Sequence, residues 1–227
     1  MSVKHMDESA ADVYVFAATG FARIIAGYLD DDPRYDFKGY VITKEYVQSE
    51  TVYGRPLLAY EENKAALRQA AIINCIGYNK MMSTREMTDK MLIGDGMPLG
   101  SYVHRTARIM QGASIGEHCL IMAHTYIGEY ARLGGSNIVW PSAHIEHDVI
   151  SGDYNFFAAQ SLVLGGVTIG DHCFIGGNAA VKNNVNLADY SLIGAGAVIA
   201  GDTDAFGVYA PQRTVKIGGK SSLEIDI

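Results

Sequence analysis

Glu146-His147-Asp148 places one imidazole between two carboxylates. An imidazole titrates near neutral pH, and a neighbouring carboxylate can fix its tautomer and raise its basicity, so the triplet has the makings of a general base. The bland alternative is a solvated turn histidine among acidic neighbours. His144 stands three residues earlier, while His104, His118, His124 and His172 fall near turns and read as surface residues. Three protein ligands plus water is the catalytic zinc pattern, and His124, His144 and His147 are the set that could supply it.

The element that must position His147 is a repeat of six. From Val103 to Ile199 an apolar residue recurs at every sixth position, through Ile109, Ile115, Ile121, Ile127 and onward, with Ser151 as the one break. Two residues before each stands a smaller residue, among them Ala107, Ala113, Cys119, Asn137, Ala143 and Asn155, and a glycine commonly follows, as at Gly116, Gly128, Gly134 and Gly170. A period of six fits neither an α-helix nor plain strand alternation; it predicts a triangular solenoid of five to six coils, each made of three hexads. The large set fills the interior, the small set fits the inner corners, and the glycines are expected to supply turn dihedrals that a Cβ would resist. Residues 18 apart then stack, which puts Gly165 beside His147 in the next coil and leaves a side-chain-sized space and an uncovered N–H there. Ser151, four residues from His147, reads as a loosening of the repeat near the site.

Upstream the pattern changes. Val13–Phe16, Gly39–Ile42, Pro56–Leu58 and Ala71–Ile76 read as strands, and 21–29, 61–69 and 83–92 as helices. Strands alternating with helices predict a small parallel βαβ sheet. Three units follow: an α/β domain over residues 1–95, the solenoid over 96–205, and a tail over 206–227.

The chain of 227 residues carries a formal net charge of −7 and no long basic run, which argues against nucleic acid or an anionic membrane as main partner. Its apolar runs are too short to span a bilayer, and Lys4, His5, Asp7 and Glu8 occupy the place of a signal peptide's apolar segment. Cys75, Cys119 and Cys173 have no metal-type spacing; Cys119 and Cys173 share a phase but lie three coils apart, roughly 14 Å at about 4.8 Å per strand layer and beyond disulfide reach. Three buried thiols in a reduced, cytoplasmic protein are expected.

The Val167-Thr168-Ile169-Gly170 hexad, the segment Ile145-Glu146-His147-Asp148, the pair Gly165-Gly166 and the α/β domain in front resemble the bacterial sugar acyltransferases. More narrowly, they are similar to the nucleotide-amino-sugar N-acetyltransferases of the bacillosamine and perosamine types and their sialic acid O-acetyltransferase relatives. The resemblance spans nearly the whole chain. It implies a left-handed β-helix, a homotrimer, acetyl-coenzyme A between neighbouring β-helices, a nucleotide-linked amino sugar on the front domain, and no metal. It makes His147 the base, Asp148 or Glu146 its orienting acid, and the Gly165 amide the oxyanion donor. Gly165, Gly166 and Phe156 would line the acyl donor, with Arg213 and Lys216 on its phosphates.

The chain departs from that family in places. Ala17-Ala18-Thr19-Gly20-Phe21-Ala22 stands where the family has Gly-Ala-Gly-Gly-His-Ala, Phe156 replaces a second histidine, and Trp140-Pro141 replaces an Asn-Thr pair. Thr43-Lys44-Glu45 stands in the acidic loop, and Ile76-Gly77-Tyr78-Asn79 keeps most of an Ile-Gly-Asp-Asn pattern. Gly20, Phe21, Lys44, Tyr78 and Asn79, on loops after strands, are therefore the candidates for a substrate pocket built differently. Transfer to a sugar hydroxyl, and a non-catalytic β-helical scaffold, are the competing functions.

Overall fold

The computed structural model describes residues 11–212. Its first half is a five-stranded sheet built from β1 (Ala11–Phe16), β2 (Tyr35–Ile42), β3 (Thr51–Val52), β4 (Arg55–Ala59) and β5 (Ala71–Asn74), in the order β3-β4-β2-β1-β5. All neighbours run parallel except the β3–β4 hairpin. The crossovers are α1 (Gly20–Asp30) and α2 (Tyr60–Leu67), and α3 (Ser83–Gly94) follows β5. In α1 the residues Ala22, Ile25, Ala26 and Leu29 form one buried stripe, and the Thr19 hydroxyl caps the helix by accepting from the Ala22 N–H at 3.2 Å. These elements agree with the sequence reading; the short β3 and the first half of β2 were not foreseen.

The second half is a left-handed parallel β-helix of two-residue strands, from Tyr102–Val103 to Val208–Tyr209, arranged as three parallel sheets. Register follows the repeat: Tyr126 pairs with His144, His144 with Leu162, and Ile150 with Thr168, each 18 residues apart. The front face carries Leu120, Ile138, Phe156 and Phe174 outward against the α/β domain; the second carries Arg108, Tyr126, His144 and Leu162; the third carries Arg132, Ile150 and Thr168. The large and small hexad residues together form one continuous interior core, including Ile127, Ala131, Val139, Ala143 and Ile145. Cys75, Cys119 and Cys173 are all free and buried; burial pushes the first two thiols up to about 12 and the third to about 11.

Two expectations about the repeat are corrected. The glycines that follow the apolar positions are not there for unusual dihedrals. A Cβ on Gly128 would lie 2.5 Å from the backbone carbon of Glu146, and one on Gly116 2.5 Å from that of Gly134, so close coil-to-coil approach selects glycine. The left-handed dihedral belongs instead to the last residue of each corner, recurring every sixth residue from Gly112 to Gly196 and borne mostly by non-glycines such as His118, Tyr130, Ser136 and Asp148. Ser151, in turn, does not mark the site. It points inward, is buried, and accepts from Asn155 Nδ2 at 3.0 Å within a polar seam in which Asn137 and Asn155 bond corner carbonyls of successive coils.

Helix α3 joins the halves through charge. Arg85 and Asp89, one turn apart and both fully buried, occupy its inner face with Leu92. Arg85 donates to the carbonyls of Asn74, Ser136 (3.2 Å) and His118 (2.7 Å), while Asp89 accepts from Asn74 Nδ2 at 2.8 Å and Ser136 Oγ at 2.7 Å. Nothing in the periodicity announces this network, because polar residues occupy the positions where a core face is expected to be apolar.

Candidate active site

His147 sits at the middle of the corner between the second and third faces, between the strands His144–Ile145 and Ile150–Ser151. The neighbouring Asp148 holds the left-handed φ of 58° that turns the corner, and this brings its carboxylate back to the ring: Nδ1 of His147 lies 2.8 Å from Oδ2 of Asp148. A carboxylate only accepts, so Nδ1 carries the proton in this pair and Nε2 is the free basic nitrogen. The Asp148 hydrogen bond raises the His147 pKa above its ordinary value; desolvation opposes the rise, and the charges of Asp148, Glu146 and Glu129 add to it.

The stacking of Gly165 on His147 is direct. A Cβ at Gly165 would fall 2.5 Å from both Cε1 and Nε2 of the imidazole and 3.1 Å from Cδ2. The space left by the missing side chain is therefore filled by the histidine ring itself, and Gly165 is buried beneath it. Gly166 is held by its own N–H on the His147 carbonyl at 3.0 Å, and the Gly165 carbonyl accepts from the Asn184 N–H at 3.1 Å. The Gly165 N–H has no acceptor among the described residues. At the next corner the equivalent amides are capped: Gly135, Asp153 and Asp171 donate to the Asp carboxylate 18 residues on, at 2.6, 2.7 and 2.9 Å. Asn183, the residue stacked on Gly165, reaches only its carbonyl.

Glu146 faces the other way. Its Oε1 lies 3.0 Å from Nε2 of His144, out of line for a hydrogen bond, and His144 packs on Tyr126 with ring centroids 4.4 Å apart. Tyr126 donates to Glu129 Oε2 at 3.2 Å. Among the described residues no three His, Cys, Asp or Glu side chains are grouped to hold a metal, so the zinc arrangement of His124, His144 and His147 does not form within one chain.

The remaining candidates gather elsewhere. Phe21, at the start of α1, stacks on Trp140 at 5.8 Å; Trp140 lies 6.0 Å from Phe156; and Tyr78 packs edge-on against Phe156 and Phe174 at 5.1 and 5.4 Å. Phe156 is thus buried on the front face among the loops after β1 and β5, and not at the His147 corner. Gly20, the first residue of α1, and Asn79, on the loop after β5, are both exposed. Ala17, at the end of β1, holds a φ of 134°, a region that favours the glycine found there in the family pattern. Lys44 stands apart, paired with Glu62 at 2.6 Å, its N–H donating to Glu61 at 2.7 Å. Arg213 and Lys216 lie outside the described residues. In the sequence Trp140 stands out only as a departure from the family pattern; its position two residues after the outward Ile138, across the inward Val139, is the signal that places it on the side of the α/β domain.

Fold and site together define the class: an α/β domain followed by a left-handed β-helix with an acid-paired histidine at one corner. A profile for the bacterial transferase hexapeptide (six repeats) matches residues 166–201. Among solved structures, the acetyltransferase domain of PglB from Neisseria gonorrhoeae FA1090 shares the fold with a TM-score of 0.78 and 22% identity over 88% of this chain and 97% of that one. The same domain has been solved in complex with acetyl coenzyme A. PerB from Caulobacter crescentus, solved in complex with CoA and GDP-perosamine, matches with a TM-score of 0.77 and 22% identity over 88% of this chain and 94% of that one. No curated protein sequence matches significantly. Among the described residues no helix is long and apolar enough to cross a membrane.

Proposed function

We propose that this protein is an acetyl-coenzyme A-dependent N-acetyltransferase that acts on the amino group of a nucleotide-linked amino sugar. The observation that carries this reading is the His147–Asp148 pair lying over a glycine whose amide has no acceptor among the described residues. The shared fold of proteins solved with acetyl coenzyme A and with CoA plus GDP-perosamine supports it.

In this mechanism the sugar amine attacks the thioester carbonyl while Nε2 of His147 takes one amine proton. A C–N bond forms, and the carbonyl oxygen becomes an oxyanion that accepts from the Gly165 N–H once the imidazole shifts toward the amine. Collapse breaks the C–S bond and expels the coenzyme A thiolate, to which the imidazolium returns the proton. Asp148 holds the ring in the tautomer that leaves Nε2 free, and Gly166 extends the backbone strip along the donor.

Trp140, on which Phe21 stacks, and His147 flank the second-face strand His144–Ile145 from opposite ends, seven residues apart along the coil. A site that uses both draws on a neighbouring copy, and a homotrimer with the donor between β-helices is the assembly that supplies one. The reduced, buried cysteines fit a cytoplasmic enzyme of surface-polysaccharide synthesis. The test is thiol release from acetyl-coenzyme A against a panel of amino and hydroxy sugar nucleotides. Turnover with an amino sugar that falls at least a hundredfold in His147→Ala is expected. Turnover only with hydroxyl acceptors, or a His147→Ala loss under threefold, would overturn the reading.

A further inference from the structure

Trp140 carries a polar group with nothing to bond. Its Nε1 is shielded from solvent and has no hydrogen-bond partner among the described residues. A buried indole N–H ordinarily finds an acceptor, because leaving one unpaired costs about 1–3 kcal/mol. The neighbouring Phe21 ring does not answer it: the two planes are inclined by only 24°, so an N–H lying in the indole plane does not point at the phenyl face.

The surroundings say what kind of acceptor fits. Phe21, in the first turn of α1, and Tyr78, on the loop after β5, lie at the carboxyl ends of the parallel strands β1 and β5, where open α/β sheets bind ligands. Trp140 and the buried Phe156 come from the solenoid; Phe156 backs the cluster, and Phe21, Trp140 and the 55% exposed Tyr78 form its outer side. Besides their ring faces these side chains offer only two hydrogen-bonding groups, the Trp140 N–H and the Tyr78 hydroxyl. Such a surface suits a pyranose ring, which offers a C–H face to the aromatics and ring or hydroxyl oxygens to these groups. From Trp140 the chain reaches His147 in seven residues, along the second face.

We infer that Trp140 is a specificity-determining residue for the sugar of the acceptor: its face stacks on the pyranose and, as the neighbouring rings part to admit the sugar, its Nε1–H, shielded in the free protein, donates to a sugar oxygen. This rests on the acceptor class proposed above and assigns its sugar subsite to a side chain.

Trp140 is the chain's only tryptophan, so tryptophan emission reports this position alone. The full chain is titrated with the glucosamine conjugates of uridine, thymidine, guanosine and cytidine diphosphates, with the four diphosphates alone, and with coenzyme A. A saturable emission change with at least one conjugate, at least threefold larger than with its matched diphosphate, is expected. No change with any conjugate, an equal change with the diphosphate, or a change with coenzyme A alone would overturn the inference. Trp140→Phe keeps a stacking ring and removes the donor; by calorimetry its Kd for that conjugate should rise roughly 3- to 10-fold, as for one lost hydrogen bond, with diphosphate affinity unchanged. Unchanged conjugate affinity in a variant that unfolds at the wild-type urea midpoint would also overturn it. The two readings fail separately. Sugar-dependent emission without acetyl transfer sinks the reaction and leaves Trp140 in place; transfer with emission blind to the sugar does the reverse.

Discussion

Gly165→Ala separates the chemistry of the corner from its folding. The added methyl carbon would sit 2.5 Å from Cε1 and Nε2 of His147, whereas carbon atoms pack at about 3.5–4.0 Å, so the imidazole must retreat by about 1 Å. Gly165 is not among the residues with positive φ, so the backbone accepts alanine. The obstructing atoms are the tip of a side chain that is 54% exposed, free to swing outward. Folding stability should therefore change by under about 1 kcal/mol. The swing, however, breaks the 2.8 Å contact with Asp148 and moves Nε2 away from the reacting nitrogen. A displacement of about 1 Å costs on the order of a hundredfold in rate.

The assay is kcat/KM by thiol release alongside urea denaturation, with Gly128→Ala as the contrast. There the new Cβ would meet the backbone carbon of Glu146 and nitrogen of His147 at 2.5 Å, atoms that cannot swing away, so that variant should lose roughly 1–3 kcal/mol of stability as well as activity. A Gly165→Ala enzyme that keeps kcat/KM within threefold at unchanged stability would refute the placement of the base; one that unfolds like Gly128→Ala would refute the steric reasoning.

Three further outcomes follow from the same contacts. The proposed base would act as neutral imidazole, so activity should be lost as pH falls through the raised His147 pKa; Asp148→Asn, which keeps a residue tolerant of φ 58°, should move that acid limb down toward about 6.5, and an unmoved limb would exclude Asp148 as its cause. By the same linkage the His147–Asp148 pair stabilises the fold below the unfolded histidine pKa and ceases to do so as pH rises through the folded one, an effect that solvent exposure keeps small. Arg85→Ala takes the donor from the carbonyls of Asn74, Ser136 and His118, so at about 1–3 kcal/mol for each orphaned group urea denaturation should show a loss of about 3–5 kcal/mol; a loss under about 1 would mean the network is not what joins the halves. Ser151→Val restores the hexad pattern, and since Asn155 Nδ2 retains the carbonyls of Gly152 and Gly170 at 3.1 and 2.9 Å, kcat/KM should stay within twofold and stability within about 1 kcal/mol. A large drop in kcat/KM there would return Ser151 to the site.

The solenoid was legible because a strict period leaves little freedom: once large residues recur every sixth position, the 18-residue register and the Gly165–His147 pair follow. What the sequence hid were choices that two causes make alike. Glycine is selected both by left-handed dihedrals and by close backbone approach, and only coordinates distinguish Gly128, which a neighbouring coil crowds, from Gly166, whose φ is +71°. A serine in an apolar column reads alike whether it borders a site or joins an internal seam, although the buried Asn155 four residues on was a visible hint. Arg85 and Asp89 were opaque for a different reason: their partners are carbonyls and hydroxyls far along the chain, which no local pattern encodes.

The same periodicity sets this corner, where the proposed site lies, apart from its neighbours. In a β-helix each corner leaves its middle N–H outside the strand ladder, and every coil repeats the problem. At the corner between the third and front faces, aspartates stacked 18 residues apart solve it, each carboxylate capping the amide before it. An amide capped in this way is unavailable to a ligand. At the His147 corner the stacked column reads Glu129, His147, Gly165, Asn183, and no carboxylate follows Gly165 to cap it. An aspartate at position 183 would extend the neighbouring solution to this corner, steady the coil and cover the amide. An uncovered amide is thus local stability forgone, and it lies beneath the one histidine that a left-handed Asp148 holds with Nε2 free.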